Sequence, residues 1–220
     1  MQRLRGVSCV RAIAPLAVVA VLLGACGTTG INYVRSGDVA GSDAQLFIKV
    51  PRGWELFDEE EFLRRQSEGL SEEQIQLLRD RQWLVVFDAD PDPSIDHLAP
   101  NAENPAGFAQ IRLLSSTETD YSVESLNSEV FPYAEIRFQD GFELIGKEPL
   151  EDLPGELEGN MLSYAFELEG TPVRVTQLAA LDQENRVIYL TVVACKQSCY
   201  EDQHEVIEQL IASWTVEGGP

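Results

Sequence analysis

The stretch PVRVTQLAALDQENRVIYLTVVACKQSCYEDQHEVIEQLIASWTV, residues 172–216, decides the fold. Within it RVIYLTVVAC is β-branched and apolar, the composition of a buried strand. PVRVTQLAAL precedes it across DQEN, and NMLSYAFEL precedes that across EGT. Connections this short imply an antiparallel three-strand meander. From Cys199 onward Val206, Ile207, Leu210, Ile211 and Trp214 recur at helical spacing. Ser198, with Glu201 three positions later, has the pattern of a capping box. The meander therefore leads into a last helix whose Val206–Leu210–Trp214 stripe packs on the sheet.

Upstream, AQLFIKVPRGWEL alternates as a strand, with Leu46, Ile48 and Val50 on one side, and ends at Pro51-Arg52-Gly53. DEEEFLRRQ and SEEQIQLLRDRQ read as two short helices with acids in their first turns and a capping box from Ser71 to Gln74. WLVVFDA and GFAQIRLLSS are strands separated by a long loop, and SVESLNSEVF and PYAEIRFQ read as helical. The class is α+β: a mostly antiparallel sheet with a C-terminal three-strand meander, covered by helices.

At the other end of the chain, Arg3, Arg5 and Arg11 precede an uncharged run, Ala12 to Ala25, that stops at Cys26. A basic region, a short apolar region and small residues before a processing point form a secretory signal. The apolar run is too short to span a bilayer, which takes roughly 20 residues. Leu23-Gly24-Ala25-Cys26 resembles the lipobox of bacterial lipoproteins. That resemblance implies cleavage before Cys26, a diacylglycerol on its thiol and further (palmitate-type) acylation. Residues 1–25 are then the signal, 26–44 an acylated cysteine and flexible tether, 45–217 the domain and 218–220 a tail. The expected location is the outer face of the cell membrane, held by the lipid anchor.

Past Cys26, 37 acidic residues face 13 basic ones, a formal charge of −24. Such a surface repels phosphate backbones, so nucleic acid is not an expected partner. The same charge is expected to keep the domain off an anionic lipid surface. It suits solubility, cations or a basic partner.

Cys9 leaves with the signal, so Cys195 and Cys199 are the remaining thiols. Export permits a disulfide between them, stapling the end of a strand to the first turn of the last helix. A metal site with His204 lacks a fourth ligand and the usual tight spacing, and a redox pair lacks the C-x-x-C spacing.

For chemistry, the chain holds no G-x-S-x-G, H-E-x-x-H, P-loop or G-x-G-x-x-G motif. Its two histidines are His97 and His204. In FDADPDPSIDH, residues 87–97, Asp88, Asp90, Asp92, Ser94 and Asp96 recur at alternate positions, as the oxygen ligands of a calcium loop do. Pro93 stands where such a loop wants glycine, and Ala99 replaces its bidentate glutamate. Two readings follow, a site-specific calcium loop built on Asp88, Asp90, Asp92 and Asp96, and a solvated acidic loop. No other cofactor is expected. A carboxylate-based hydrolase requires two converging acids in a cleft. Trp54, Trp83 and Trp214 each flank an apolar element and read as core.

The order of elements, a strand ending in PRGW, intervening helices, then EGTPVRVTQLAALDQENRVIYLTVVA and a helix closing on IASWTV, resembles the PsbP-like fold. That fold is named for an extrinsic subunit of the photosynthetic oxygen-evolving complex, and the likeness is greatest to lipid-anchored versions in actinobacterial envelopes. The resemblance implies a non-enzymatic envelope module that binds or stabilises a partner, an envelope protein or a small ligand. The acidic loop at 88–106 has no counterpart, so no functional residue is carried over.

Overall fold

Chain segments that pair by hydrogen bonds form two sheets in the computed structural model, which describes residues 30–39, 42, 44–66, 69–118, 120–184 and 186–218. The expected signal and Cys26 lie outside the described residues. In chain order the elements are β1 (Ile31–Arg35), β2 (Ala44–Pro51), β3 (Glu55–Asp58), α1 (Glu59–Gln66), α2 (Glu72–Arg81), β4 (Gln82–Asp88) and β5 (Ala106–Leu113). They continue with α3 (Tyr133–Ile136), β6 (Glu143–Pro149), β7 (Glu158–Leu168), β8 (Thr171–Leu181), β9 (Val187–Lys196), α4 (Gln197–Asp202), α5 (His204–Ala212) and β10 (Thr215–Gly218). This is the α+β class, with every sheet neighbour antiparallel.

The seven-stranded sheet runs β3-β4-β5-β9-β8-β7-β6, which puts β9 at its centre. Central position explains the unbroken apolar sequence of β9: the sheet is covered on both sides. Val187, Tyr189, Val193 and Cys195 enter one core, while Ile188, Leu190, Val192 and Ala194 enter the other. Alternation of side chains across a strand sends successive residues to opposite faces. The first core closes against β2, α4 and α5 through Leu46, Ile48, Tyr200, Ile207 and Leu210. The second closes under the segment after β5 through Leu126, Tyr133 and Ile136. Burying each large apolar side chain contributes about 1.5–3 kcal/mol.

Two backbone positions demand their residues. Gly107 on β5 passes so near β9 that a Cβ would lie 1.9 Å from the Val192 carbonyl oxygen. β7 and β8 are joined by Glu169-Gly170, both left-handed at φ 52° and 80°. Such a pair matches the twist of a tight hairpin, with glycine the residue best suited to it.

Several expectations require correction. Residues 27–44 are not all tether, because Ile31–Arg35 pairs with β2 as β1, in a second sheet ordered β1-β2-β10. Val39 is also buried. A strand this short has too few alternating positions to stand out in sequence, and its partner is already a strong strand. The strand from Ala44 ends at Pro51 as expected, but a further strand, β3, follows the turn and lies in the large sheet while β2 lies in the small one. The meander gains a fourth strand, β6, on its outer side. β10 returns after the last helix to pair with β2. SVESLNSEVF and PYAEIRFQ shrink to a 3-10 turn at Ser125–Ser128 and to the single turn of α3.

The last helix is two helices meeting at Gln203. β9 runs on to Lys196, so α4 begins at Gln197 and Ser198 sits inside it. The capping position falls to Lys196, which has no side-chain bond to the helix, and the Ser198–Glu201 box does not form. The Ser71–Gln74 box does form, with both of its reciprocal bonds present.

Candidate functional site

β4 delivers Asp88 to the rim of the large sheet, where its side chain is only 1% exposed. Its Oδ1 accepts the Asp90 backbone N–H at 3.0 Å and its Oδ2 accepts that of Ser94 at 2.8 Å. His97 Nδ1 donates to the same Oδ2 at 2.7 Å. Asp90 Oδ1 in turn accepts from the Asp92 N–H at 2.9 Å, and its Oδ2 from the Asn104 side chain at 2.8 Å. Ser94 Oγ accepts the Asp96 N–H at 3.2 Å. Asp96 pairs with Arg65 of α1.

This pattern explains the alternate spacing in the sequence. Asp88, Asp90 and Ser94 each bond the backbone N–H two residues on, which is the Asx or Ser turn. Proline at 91 and 93 has no N–H to offer, so the donors fall on the residues between. The period of two is therefore that of successive turns. Asp88, Asp90, Asp92 and Asp96 do not converge on a common point. Among the described residues no three His, Cys, Asp or Glu side chains are grouped so as to hold a metal ion.

Electrostatics follow the same bonds. Asp90 is held below the usual carboxylate range, first by the Asp92 N–H and then by Asn104. Asp96 is lowered by its bond to Arg65. His97 is raised above its ordinary value, first by the bond to Asp88.

Folded this way, the loop forms one wall of a surface cleft of about 410 Å³ whose other wall is α1 and the end of β3. Phe57, Pro93 and Ile95 supply apolar surface, and Glu61, Arg64 and Arg65 supply charge. A few polar groups beside apolar walls are the usual make-up of a ligand site. Of the lining, sequence reasoning singled out Pro93 and Ser94 as part of the acidic loop but not Phe57, Glu61, Arg64, Arg65 or Ile95; the loop's Asp88, Asp90 and Asp96 do not line the cleft. The signal for Arg64 and Arg65 was an adjacent arginine pair in a chain so rich in acid; Phe57 and Ile95 carried none.

Two carboxylates do converge elsewhere. Arg112 on β5 bonds Glu118 at 2.9 Å and Glu129 at 2.6 Å, and the Tyr121 hydroxyl donates to Glu129. Burial alone would raise Glu118, but the N–H and hydroxyl of Ser115 together with Arg112 bring it down to about 2. Tyr121 is pushed up by burial and by the bond to Glu129. These bonds tie β5 to the segment over the second core.

Cys195 and Cys199 are bonded to one another across the β9–α4 junction. Beside them the Arg174 guanidinium lies 4.1 Å from the centre of the Tyr200 ring. The Tyr200 hydroxyl bonds Thr176 at 2.7 Å. His204 is more than half exposed, with Glu208 at 3.8 Å, and stands apart from the cysteines' environment. Trp54 and Trp214 are buried and Trp83 packs on the first core.

No protein-family model matches the chain, and no curated protein does. Solved structures are similar at low identity. PsbP (CyanoP) of the cyanobacterium Synechocystis sp. PCC 6803 is 15% identical over 89% of this chain and 99% of its own, with a TM-score of 0.45. LpqN of Mycobacterium tuberculosis, described as involved in cell envelope biogenesis, is 14% identical over 84% of this chain and 91% of its own, at 0.44. The Ran-binding protein Mog1p of Saccharomyces cerevisiae is 11% identical over 84% of this chain and 95% of its own, at 0.43.

Proposed function

We propose that the chain is an exported, lipid-anchored, non-catalytic binding module of a bacterial envelope, and that it takes its ligand in the cleft between α1 and the acidic loop. One observation carries this reading. The loop's inward carboxylates are already committed to backbone N–H groups, His97 and Asn104. What the loop provides is a fixed wall, with its acids held by hydrogen bonds. The wall faces α1 across apolar Phe57 and Ile95, with Glu61, Arg64 and Arg65 at the rim, which suits a small ligand or partner loop with an apolar body and a polar end.

A photo-crosslinking residue at Ile95, introduced into the chain in its own cells, tests this. The expected result is a discrete adduct that is absent when the same residue replaces the exposed Phe138. Equal labelling at both positions would remove the cleft from consideration.

A further inference from the structure

The outer face of the small sheet carries a charge unlike the rest of the molecule. In a chain so acidic, Arg35 on β1, Lys49 on β2 and Arg52 in the following turn are all exposed. Among the described residues none of the three is ion-paired with a carboxylate. The strand register orders them. Ile31 lies opposite Pro51, Tyr33 opposite Lys49 and Arg35 opposite Phe47. The Arg52 N–H donates to the Gly30 carbonyl at 2.8 Å. Arg52, Lys49, Tyr33 and Ile31 therefore gather at the end of the sheet where the chain enters. Tyr33 is 77% exposed and Ile31 41%, and the Lys49 ammonium lies 5.7 Å from the Tyr33 ring centre. Acids stay mostly at the other end: Glu217 lies opposite Gln45, and Gln45 bonds Asp38. Among the described residues that line the groove between β1 and β3, Glu55 is the acid beside Arg52 and Tyr33.

Cys26 stands five peptide steps before Ile31. Even fully extended, those steps keep the two Cα atoms within roughly 18 Å. An acyl anchor at Cys26 thus keeps this corner near the bilayer.

We infer that this corner is the membrane-contact face of the domain. Arg52 and Lys49 meet the phosphates of anionic phospholipids, while Tyr33 and Ile31 enter the headgroup region. The inference rests on the anchoring proposed above. It reverses the expectation that net charge holds the domain off the lipid. At physiological ionic strength the Debye length is about 8 Å, so acids on distant faces are screened and the facing corner decides. Tyrosine favours the headgroup level, where its ring is apolar and its hydroxyl wet. Two cations and two apolar side chains make a weak contact by themselves. Tethering raises their effective concentration at the surface, so weak contact suffices.

The test uses the mature acylated chain carrying Ile31→Cys, labelled with a nitroxide, in vesicles of phosphatidylcholine with or without phosphatidylglycerol. Phe138→Cys is the control. The label at 31 is expected to lose accessibility to a water-soluble relaxant severalfold when phosphatidylglycerol is present, and the label at 138 is not. Lys49→Glu with Arg52→Glu should abolish that protection at unchanged melting temperature while the chain still floats with the vesicles. Ionic strength of about 1 M, where the Debye length is about 3 Å, should do the same. A chain that floats but shows equal exposure in both lipids overturns the contact face alone. A chain that floats with neither overturns the anchor and the contact face together.

Discussion

The His97 ring nitrogen Nδ1 lies 2.7 Å from Oδ2 of Asp88, a carboxylate almost wholly removed from water. The pair closes the acidic loop on itself and gives the cleft its fixed wall.

The bond favours the protonated ring, which raises His97 above its ordinary value, with Asp90 and Asp92 adding to the effect. A histidine raised on folding stabilises the protein fully below its unfolded value of about 6.5. That contribution is lost as the pH climbs through the folded value. The difference in melting temperature between the wild type and His97→Ala should therefore be widest below pH 6.5 and shrink above it. A ring titration by NMR should have its midpoint above 6.5; a midpoint at or below it would contradict the reading.

Asp88→Asn should be costly. The carboxylate accepts three donors, and an amide turns one of its acceptors into a further donor against them. Loss of about 3 kcal/mol is expected, which lowers the melting temperature of a chain this size by roughly 6–12 °C. Because the aspartates bond the loop's own backbone, millimolar calcium should move neither the wild type nor the variant. A calcium-specific rise of several degrees in the wild type would restore the loop as a cation site.

Glu59, the first residue of α1, is raised to about 7, chiefly because burial disfavours its charge, against the pull of Gln82 and Arg79. Its Oε1 is buried without a partner. A carboxyl raised on folding keeps full stability below about 4.5 and loses it as the pH rises from there to about 7. Glu59→Gln should thus stabilise the chain by about 1–2 kcal/mol above pH 7, discounted for partial exposure, and leave it unchanged below pH 4.5. Equal stability of both proteins at pH 8 would rule this out.

The Cys195–Cys199 bond closes a short loop, so its entropic effect on the unfolded chain is small, about 2 kcal/mol. Reduction of the intact protein should lower the melting temperature by about 4–8 °C and leave the circular dichroism of the fold in place. Loss of the folded spectrum at 25 °C on reduction would show that the bond does more than staple β9 to α4.

The central architecture was legible because its signals are local and redundant. β7, β8 and β9 combine apolar composition with connections too short for any arrangement but hairpins. β1, β6 and β10 were not legible. Each is a sheet edge, where one side stays open and apolar alternation is not needed, and β10 also takes its bonds from β2, far back in the chain. The acidic loop shows the limit for sites. Its spacing was visible, yet the same period of two serves a ring of ligands and a chain of Asx turns. Only the placement of the Asp90, Asp92 and Ser94 N–H groups separates them. Arg65 joins the cleft through folding of α1 onto the loop, which no spacing in the chain announces.

Anchoring is the claim on which the reading of function turns, and the intact mass of the mature chain purified from its own membrane tests it most directly. The account predicts an N-terminal Cys26 bearing a diacylglyceryl group, with Cys26→Ala left unprocessed and unlabelled by radioactive palmitate. A mature chain that begins at any other residue, or carries an unmodified Cys26 thiol and partitions into the aqueous fraction, would contradict it.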